Sequence, residues 1–347
     1  MTTNPNAPAP RIDGIPHDAW YAAALSDEVG RVPVASSVLG QRVVLYRLTD
    51  GSAVALADRC VHAPVALSEG RVEGDDIIAP YTGFRYGPKG ACVSVPTQTN
   101  VPYGAAVHAY PVHDDGTFVW VWPGEPRSAA LRPAPVTTWL RDPAYATIGD
   151  TWETKASIAL MHDNFADITH LPQVDTEIMP PVLATGSAPP LQVQLTETQV
   201  SFSRAYPPAR IAPWQADMLE LDPSVEMAQL EEGRFVAPGL WVDRWTITLP
   251  DGGAASFIFT HALTPTSATT TRHVWRVSRT FAIGAPGDGT TTTLMHRYYT
   301  RMRALLERMQ AMVDADGPGG QPVHVAADAA GIQVRRIMAR LSSEEQR

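Results

Sequence analysis

Cysteine is nearly absent: the chain of 347 residues holds two, Cys60 and Cys92. Two thiols cannot staple a chain of this length, so a disulfide scaffold is excluded and a reducing compartment is the default. Lysine is as scarce, with Lys89 and Lys155 alone, and the other basic residues are arginines scattered singly. With 27 Lys+Arg against 36 Asp+Glu the net charge is −9, and no cluster of basic residues offers a track for a nucleic-acid backbone. Long apolar runs are missing too. Nothing approaches the ~18–20 residues of a membrane helix, and the opening segment lacks both the basic start and the apolar stretch of a signal peptide. The expectation is a soluble, cytoplasmic protein with neither nucleic-acid nor membrane partners.

What is present is 44% hydrophobic residues, enough for full-sized cores, in a length that allows two domains. The predicted class is α+β. Residues 1–16 are rich in Pro, Asn and Ala and are expected to form a tail. From 17 to 123 short alternating runs, such as Val43 to Tyr46 and Phe118 to Trp122, are separated by Asp-Gly and Pro-Lys-Gly turn signals, which predicts an all-β domain. Residues 124–150 are expected to be a linker or crossover, and 151–347 a mixed α+β domain. In the latter, 158–170 reads as a helix ended by Pro172. Strands follow at 196–206, 239–249, 255–263 and 270–283, then helices over roughly 292–314 and 324–343. The first of these carries Met295, Tyr298, Met302, Leu305, Met309 and Met312 at three- and four-residue steps, an apolar stripe expected in the core.

Asp58-Arg59-Cys60-Val61-His62-Ala63-Pro64, followed by Leu67 to Val72 and by Pro80-Tyr81-Thr82-Gly83-Phe84, resembles the Rieske domain of the vanillate-demethylase-like Rieske non-heme iron oxygenases. Matches continue at Ala19-Trp20-Tyr21, His261-Ala262-Leu263-Thr264-Pro265 and Asp328 to Leu341, nearly the whole chain. The resemblance implies a Rieske-like all-β domain followed by a helix-grip-type domain of antiparallel sheet and helices. It also implies a [2Fe–2S] site built from Cys-x-His and Cys-x-x-His pairs. Cys60 and His62 match the first pair, whereas Ala79 and Thr82 stand where the second belongs. A methyl group cannot ligate iron and a neutral hydroxyl is a poor substitute for imidazole, so no cluster is expected; Cys92 is read as a small buried hydrophobe.

A second similarity is to the family's mononuclear iron motif, two histidines and a carboxylate. His170 matches the first histidine, Asp175 stands at the second, and Met302 replaces the carboxylate. Asp167 matches the acidic residue that in the family passes electrons between subunits. The readings of Asp167, His170 and Asp175 are a one-histidine, two-carboxylate metal site, capping groups at a helix end, or polar groups lining an inherited substrate cavity; the last is preferred. Asp163, Asp167 and His170, four and three residues apart, are read as sharing a helix face, with Asn164 beside them.

Alternation puts Phe257, Phe259 and His261 on one strand face, and His261 contacts substrate in the family. Catalytic candidates are therefore Asp167, His170, Asp175 and His261. Asn164, Phe165, Arg244 and Met302 are added as pocket candidates beside Phe257 and Phe259. Trp214, Trp241 and Trp275 line the pocket or fill core. The expected function is a metal-independent enzyme that holds and cyclises a hydrophobic, polyene-like molecule, for example by a [4+2] cycloaddition, with orientation supplying the rate. No metal and no cofactor are expected. The alternative is a non-catalytic partner subunit of an intact Rieske oxygenase; behind it stands a Rieske-type monooxygenase with atypical ligands. The partners expected are a hydrophobic small molecule and either copies of the chain itself or an intact oxygenase.

Overall fold

The computed structural model describes residues 11–184, 188–317 and 323–345. They fall into two compact units, one formed by the described residues of 11–138, 264–268 and 345, the other by those of 139–263 and 269–344. No described helix is long and apolar enough to cross a membrane.

The first unit carries the strands β1 (Tyr21–Leu25), β2 (Val34–Val38), β3 (Gln41–Arg47), β4 (Ala53–Ala57), β5 (Arg71–Glu73), β6 (Asp76–Ile78), β7 (Arg85–Tyr86), β8 (Cys92–Ser94), β9 (Ala109–Tyr110), β10 (Val112–Asp114) and β11 (Phe118–Val121). They pair in the orders β1-β11-β10, β2-β3-β4-β9 and β5-β6-β7-β8. Val44, Tyr46, Leu56, Ile77 and Tyr86 make a core that also takes in Cys60, Ala79 and Cys92. Of the tail expected over 1–16, residues 1–10 lie outside the described residues. Ile15 is buried and the Tyr21 hydroxyl donates to the Pro16 carbonyl at 2.5 Å, so order begins before residue 17. The stretch 124–150 carries α1 (Pro126–Ala129), a 3-10 turn at Thr138–Arg141 and the start of the next strand.

In the second unit a seven-stranded antiparallel sheet runs, among the described residues, in the order β12-β18-β17-β16-β15-β14-β13. Its strands are β12 (Ala146–Thr154), β13 (Gln192–Leu195), β14 (Gln199–Arg210), β15 (Glu226–Val236), β16 (Leu240–Thr248), β17 (Ala254–Ser267) and β18 (Thr270–Arg279). The helices are α2 (Ile158–Ala166), α3 (Leu171–Val174), α4 (Pro213–Leu219), α5 (Ala285–Asp316) and α6 (Ala329–Glu344). Register fixes which side chains share a face. Phe202, Gly233 and Asp243 lie abreast, as do Arg204, Glu231, Trp245 and Phe257, and Trp241 lies opposite His261.

Several expectations are corrected. The helix at 158–170 ends at Ala166, because Asp167 is extended and turns its carboxylate onto Thr169. Pro172 then sits in the first turn of α3, where a missing N–H costs nothing; it opens a helix instead of closing one. Asp167 and His170 therefore do not share a helix face with Asp163, which pairs with Arg335. On α5 the buried stripe is Met295, Tyr298, Tyr299, Met302 and Leu306, closer to the 3.6-residue period than the expected one, and Met309 and Met312 are exposed.

Candidate functional site

In the first unit the loop between β6 and β7 brings Ala79 and Thr82 beside Cys60. The Thr82 hydroxyl lies 3.4 Å and the Tyr86 hydroxyl 3.3 Å from the Cys60 sulfur, and Ala79 is buried alongside. Burial alone raises the Cys60 thiol, but hydrogen bonds from Thr82, Tyr86 and the Ala63 and His62 backbone together outweigh it and hold the group below its ordinary value. The His62 ring is stacked on Phe84 with centroids 5.0 Å apart. One thiol, one imidazole, a hydroxyl and a methyl do not make the four Cys and His ligands that a [2Fe–2S] cluster takes. This donor set does not fit the cluster.

In the second unit α2 lays Phe165 on His261, with ring centroids 4.1 Å apart. His261 Nδ1 shares a 3.0 Å hydrogen bond with His273 Nε2, and Tyr299 packs edge-on against both rings. The Trp241 indole N–H donates to His162 Nδ1 at 3.0 Å.

Beside this cluster lies a cavity of about 100 Å³, walled mainly by Phe165, Phe257, Phe259, Trp245 and Met295. Of the pocket candidates, Asn164 and Trp214 also line it, as does His261. Trp241 and Trp275 are fully buried core residues away from its wall, and Met302 is buried on α5. Arg244 touches the cavity, but it alternates with Asp243 and Trp245 along β16, is exposed, and also lines a shallow groove with Glu232 and Arg234 on the other sheet face.

Asp167, His170 and Asp175 are absent from the cavity wall. The buried carboxylate of Asp175 is held by Arg297 Nε at 3.1 Å and Arg301 Nη1 at 2.6 Å, and accepts from the Glu177 and Ile178 backbone. His170 Nε2 is buried without a partner; burial lowers the His170 pKa, opposed by Asp167. Among the described residues no three His, Cys, Asp or Glu side chains converge on one point that could hold a metal ion. Two guanidinium groups on the carboxylate at the second ligand position, with a thioether at the third, do not fit a ferrous ion.

Two carboxyl groups in the cavity wall escaped the sequence reading. Glu231 is ion-paired with Arg204 at 3.6 Å and accepts from the Tyr206 hydroxyl at 2.8 Å. Burial raises the Glu231 pKa, and Arg204 and Tyr206 only partly offset this. Asp243 Oδ1 has no hydrogen-bond partner. Burial, reinforced by the charge of Glu231, pushes the Asp243 carboxyl well above the ordinary carboxylate range. The signal was available in Trp241-x-Asp243-x-Trp245, where period-two alternation places the acid on the face of the two tryptophans.

The family model of the vanillate O-demethylase oxygenase C-terminal domain matches residues 154–344, more than half of the chain, and that of the Rieske [2Fe-2S] domain matches 19–111. The chain belongs to this family of Rieske-type oxygenases. Its relatives include a putative toluene-4-sulfonate monooxygenase system iron-sulfur subunit of Comamonas testosteroni, 28% identical over 94% of this chain and 97% of its own length. The oxygenase component of dicamba O-demethylase from Stenotrophomonas maltophilia is 27% identical over 94% and 98%. A crystal structure of dicamba monooxygenase bound to 3,6-dichlorosalicylic acid superposes with a TM-score of 0.86 at 24% identity, covering 95% of this chain and 98% of the other. That likeness shows the fold: the all-β Rieske domain followed by a sheet-and-helix domain.

These relatives overturn the metal-independent cyclase expected from the sequence. Chains similar over almost the full length of this Rieske oxygenase homologue are monooxygenase and demethylase components, which are oxidative, and neither cyclisation nor cycloaddition is found among those named here.

Proposed function

We propose that this chain is an oxygenase-type subunit of an oxidative Rieske system. It takes a small, largely apolar molecule into the cavity of its second unit and leaves the iron chemistry to a metal-bearing partner oxygenase. The observation that carries this reading is the clasp on Asp175: the residue at an iron-ligand position spends its charge on Arg297 and Arg301. Two fixed cations at that point repel a dication. Ala79 and Thr82 support the same reading in the first unit, where they leave Cys60 and His62 without the second ligand pair. The relatives' names, iron-sulfur subunit and oxygenase component, place the chain's kin in multi-component systems.

The test is iron and acid-labile sulfide analysis of the purified full chain after anaerobic reconstitution. The expected result is iron far below one atom per chain and no visible cluster absorption. A companion assay supplies a reductase and dioxygen, and oxygen uptake is expected only when a metal-bearing Rieske oxygenase chain is added. Stoichiometric iron with reductase-driven uptake by this chain alone overturns the proposal and makes it an oxygenase with atypical ligands.

A further inference from the structure

We propose that Asp243 is the polar anchor for the molecule held in the cavity of the second unit, and that this molecule is an uncharged, single-ring compound bearing a hydroxyl group. The inference rests on reading that cavity as a ligand site and adds which chemistry it selects.

The argument begins with an unmet hydrogen bond. Asp243 Oδ1 is buried without a partner on a cavity whose apolar walls include Phe165, Phe257, Phe259 and Met295. Asn164 lines the same cavity, and its Nδ2 is also buried without a partner. Buried polar atoms in native proteins are nearly always satisfied, so an acid oxygen and an amide nitrogen left open on one small cavity point to a group that the ligand brings. A hydroxyl suits both, because its oxygen accepts from the amide while its hydrogen is given to the carboxyl oxygen.

The balance of charge disfavours an anionic ligand. Glu231 stands in the same wall, and Arg204, the cation abreast of it on the inward sheet face, is committed to Glu231 and to the Tyr206 hydroxyl at 3.2 Å. Arg244 sits at a strand position that alternates onto the opposite face, but its exposed side chain also reaches the cavity wall. A carboxylate or sulfonate entering here meets two acids, Asp243 and Glu231, against that one exposed guanidinium. Burial and the charge of Glu231 favour the acid form of Asp243, which both donates and accepts without a counter-ion. Volume limits the size: about 100 Å³ is two-thirds of the roughly 150 Å³ of a cavity known to admit benzene, so the occupant is no larger than a single ring and the wall must move to admit it.

The experiment uses the full chain and three probes with a common p-tolyl body: p-cresol, p-xylene and p-toluate. Affinities are measured by protein-observed NMR titration. A site built around a hydroxyl rejects the analogue lacking it, so p-cresol is expected to bind at least about tenfold more tightly than p-xylene, with p-toluate weakest. In Asp243→Ala the p-cresol preference is expected to fall to about twofold or less, and Asp243→Asn is expected to keep part of it. In the wild type the Asp243 carboxyl carbon resonance should move with p-cresol and stay with p-xylene, a readout that needs no variant to fold. Equal affinities for p-cresol and p-xylene, an unchanged preference in Asp243→Ala, or tightest binding of p-toluate overturns the anchor and leaves the ligand cavity standing. Failure of all three probes to bind overturns both.

Discussion

His261 and His273 face each other across neighbouring strands, Nδ1 to Nε2 at 3.0 Å, both buried and roofed by Phe165. Burial drives both imidazoles to the neutral form, lowering His273 to about 3 and His261 well below its ordinary value, to which the charge of His273 adds. The unfolded chain, with histidines near ~6.5, therefore binds protons that the folded chain refuses. The contribution to stability is complete above about pH 6.5 and is lost as pH falls toward about 3. Denaturant unfolding is expected to lose up to about 1.4 kcal/mol per pH unit for each histidine in that window. His273→Gln should flatten the slope by about one proton's worth; an identical slope in the variant refutes the assignment.

Asp175 is buried between two arginines, and Asp175→Ala takes the acceptor from Arg301 and leaves Arg297 with Glu177, 2.9 Å away. The expected loss is about 2–3 kcal/mol, below the roughly 3–5 of a fully buried pair because Arg297 and Arg301 reach water. Arg301→Ala should cost about 1 kcal/mol or less, since Arg297 still holds the carboxylate. Ferrous iron or EDTA should leave the wild-type melting temperature unchanged.

Restoring the second ligand pair of the first unit should restore its cluster. The double variant Ala79→Cys, Thr82→His is expected to gain visible [2Fe–2S] absorption after reconstitution with iron and sulfide, whereas the wild type stays colourless. The existing core already seats Cys60 beside both positions. A colourless double variant that remains folded refutes the expectation.

Asp243 carries the opposite sign from the histidines. Its folded pKa is raised, so its contribution is full below the ordinary carboxylate range and is lost as pH rises, when the unfolded chain releases a proton that the folded chain retains. Asp243→Asn has no such proton. It should be more stable than the wild type at pH 8, by a few degrees in melting temperature, with the gap closing toward pH 4.

Gly233 lies between Phe202 and Asp243, and a methyl group there would fall 1.9 Å from the Phe202 ring. Gly233→Ala forces that ring out of its packing against Trp241 and is expected to cost about 1–3 kcal/mol, the range for overpacking a core. Equal stability by denaturant titration would show that the ring is free to move.

The architecture was legible because motif similarity ran along almost the whole chain and because β16, β17 and β18 are rich in apolar and aromatic residues. β15 was missed for a physical reason: its inward positions include Gln229, Glu231 and Gly233, so alternation of burial is not alternation of hydropathy. The same disguise hid Glu231 and, on β16, Asp243, while Arg244 next to it was chosen. The aromatic wall of Phe257, Phe259 and His261 came directly from period-two alternation. What sequence could not supply was the partner of Asp175, since Arg297 and Arg301 lie more than a hundred residues away and only the packing of α5 near α3 brings them to it.

A junction of helices held by iron yields to a chelator and ignores dissolved sodium chloride. One held by a carboxylate between two half-exposed guanidinium groups does the reverse, because mobile ions screen charges that reach solvent within about 8–10 Å at moderate ionic strength. The Asp175 clasp thus makes the seam between α3 and α5 responsive to the salinity of the medium.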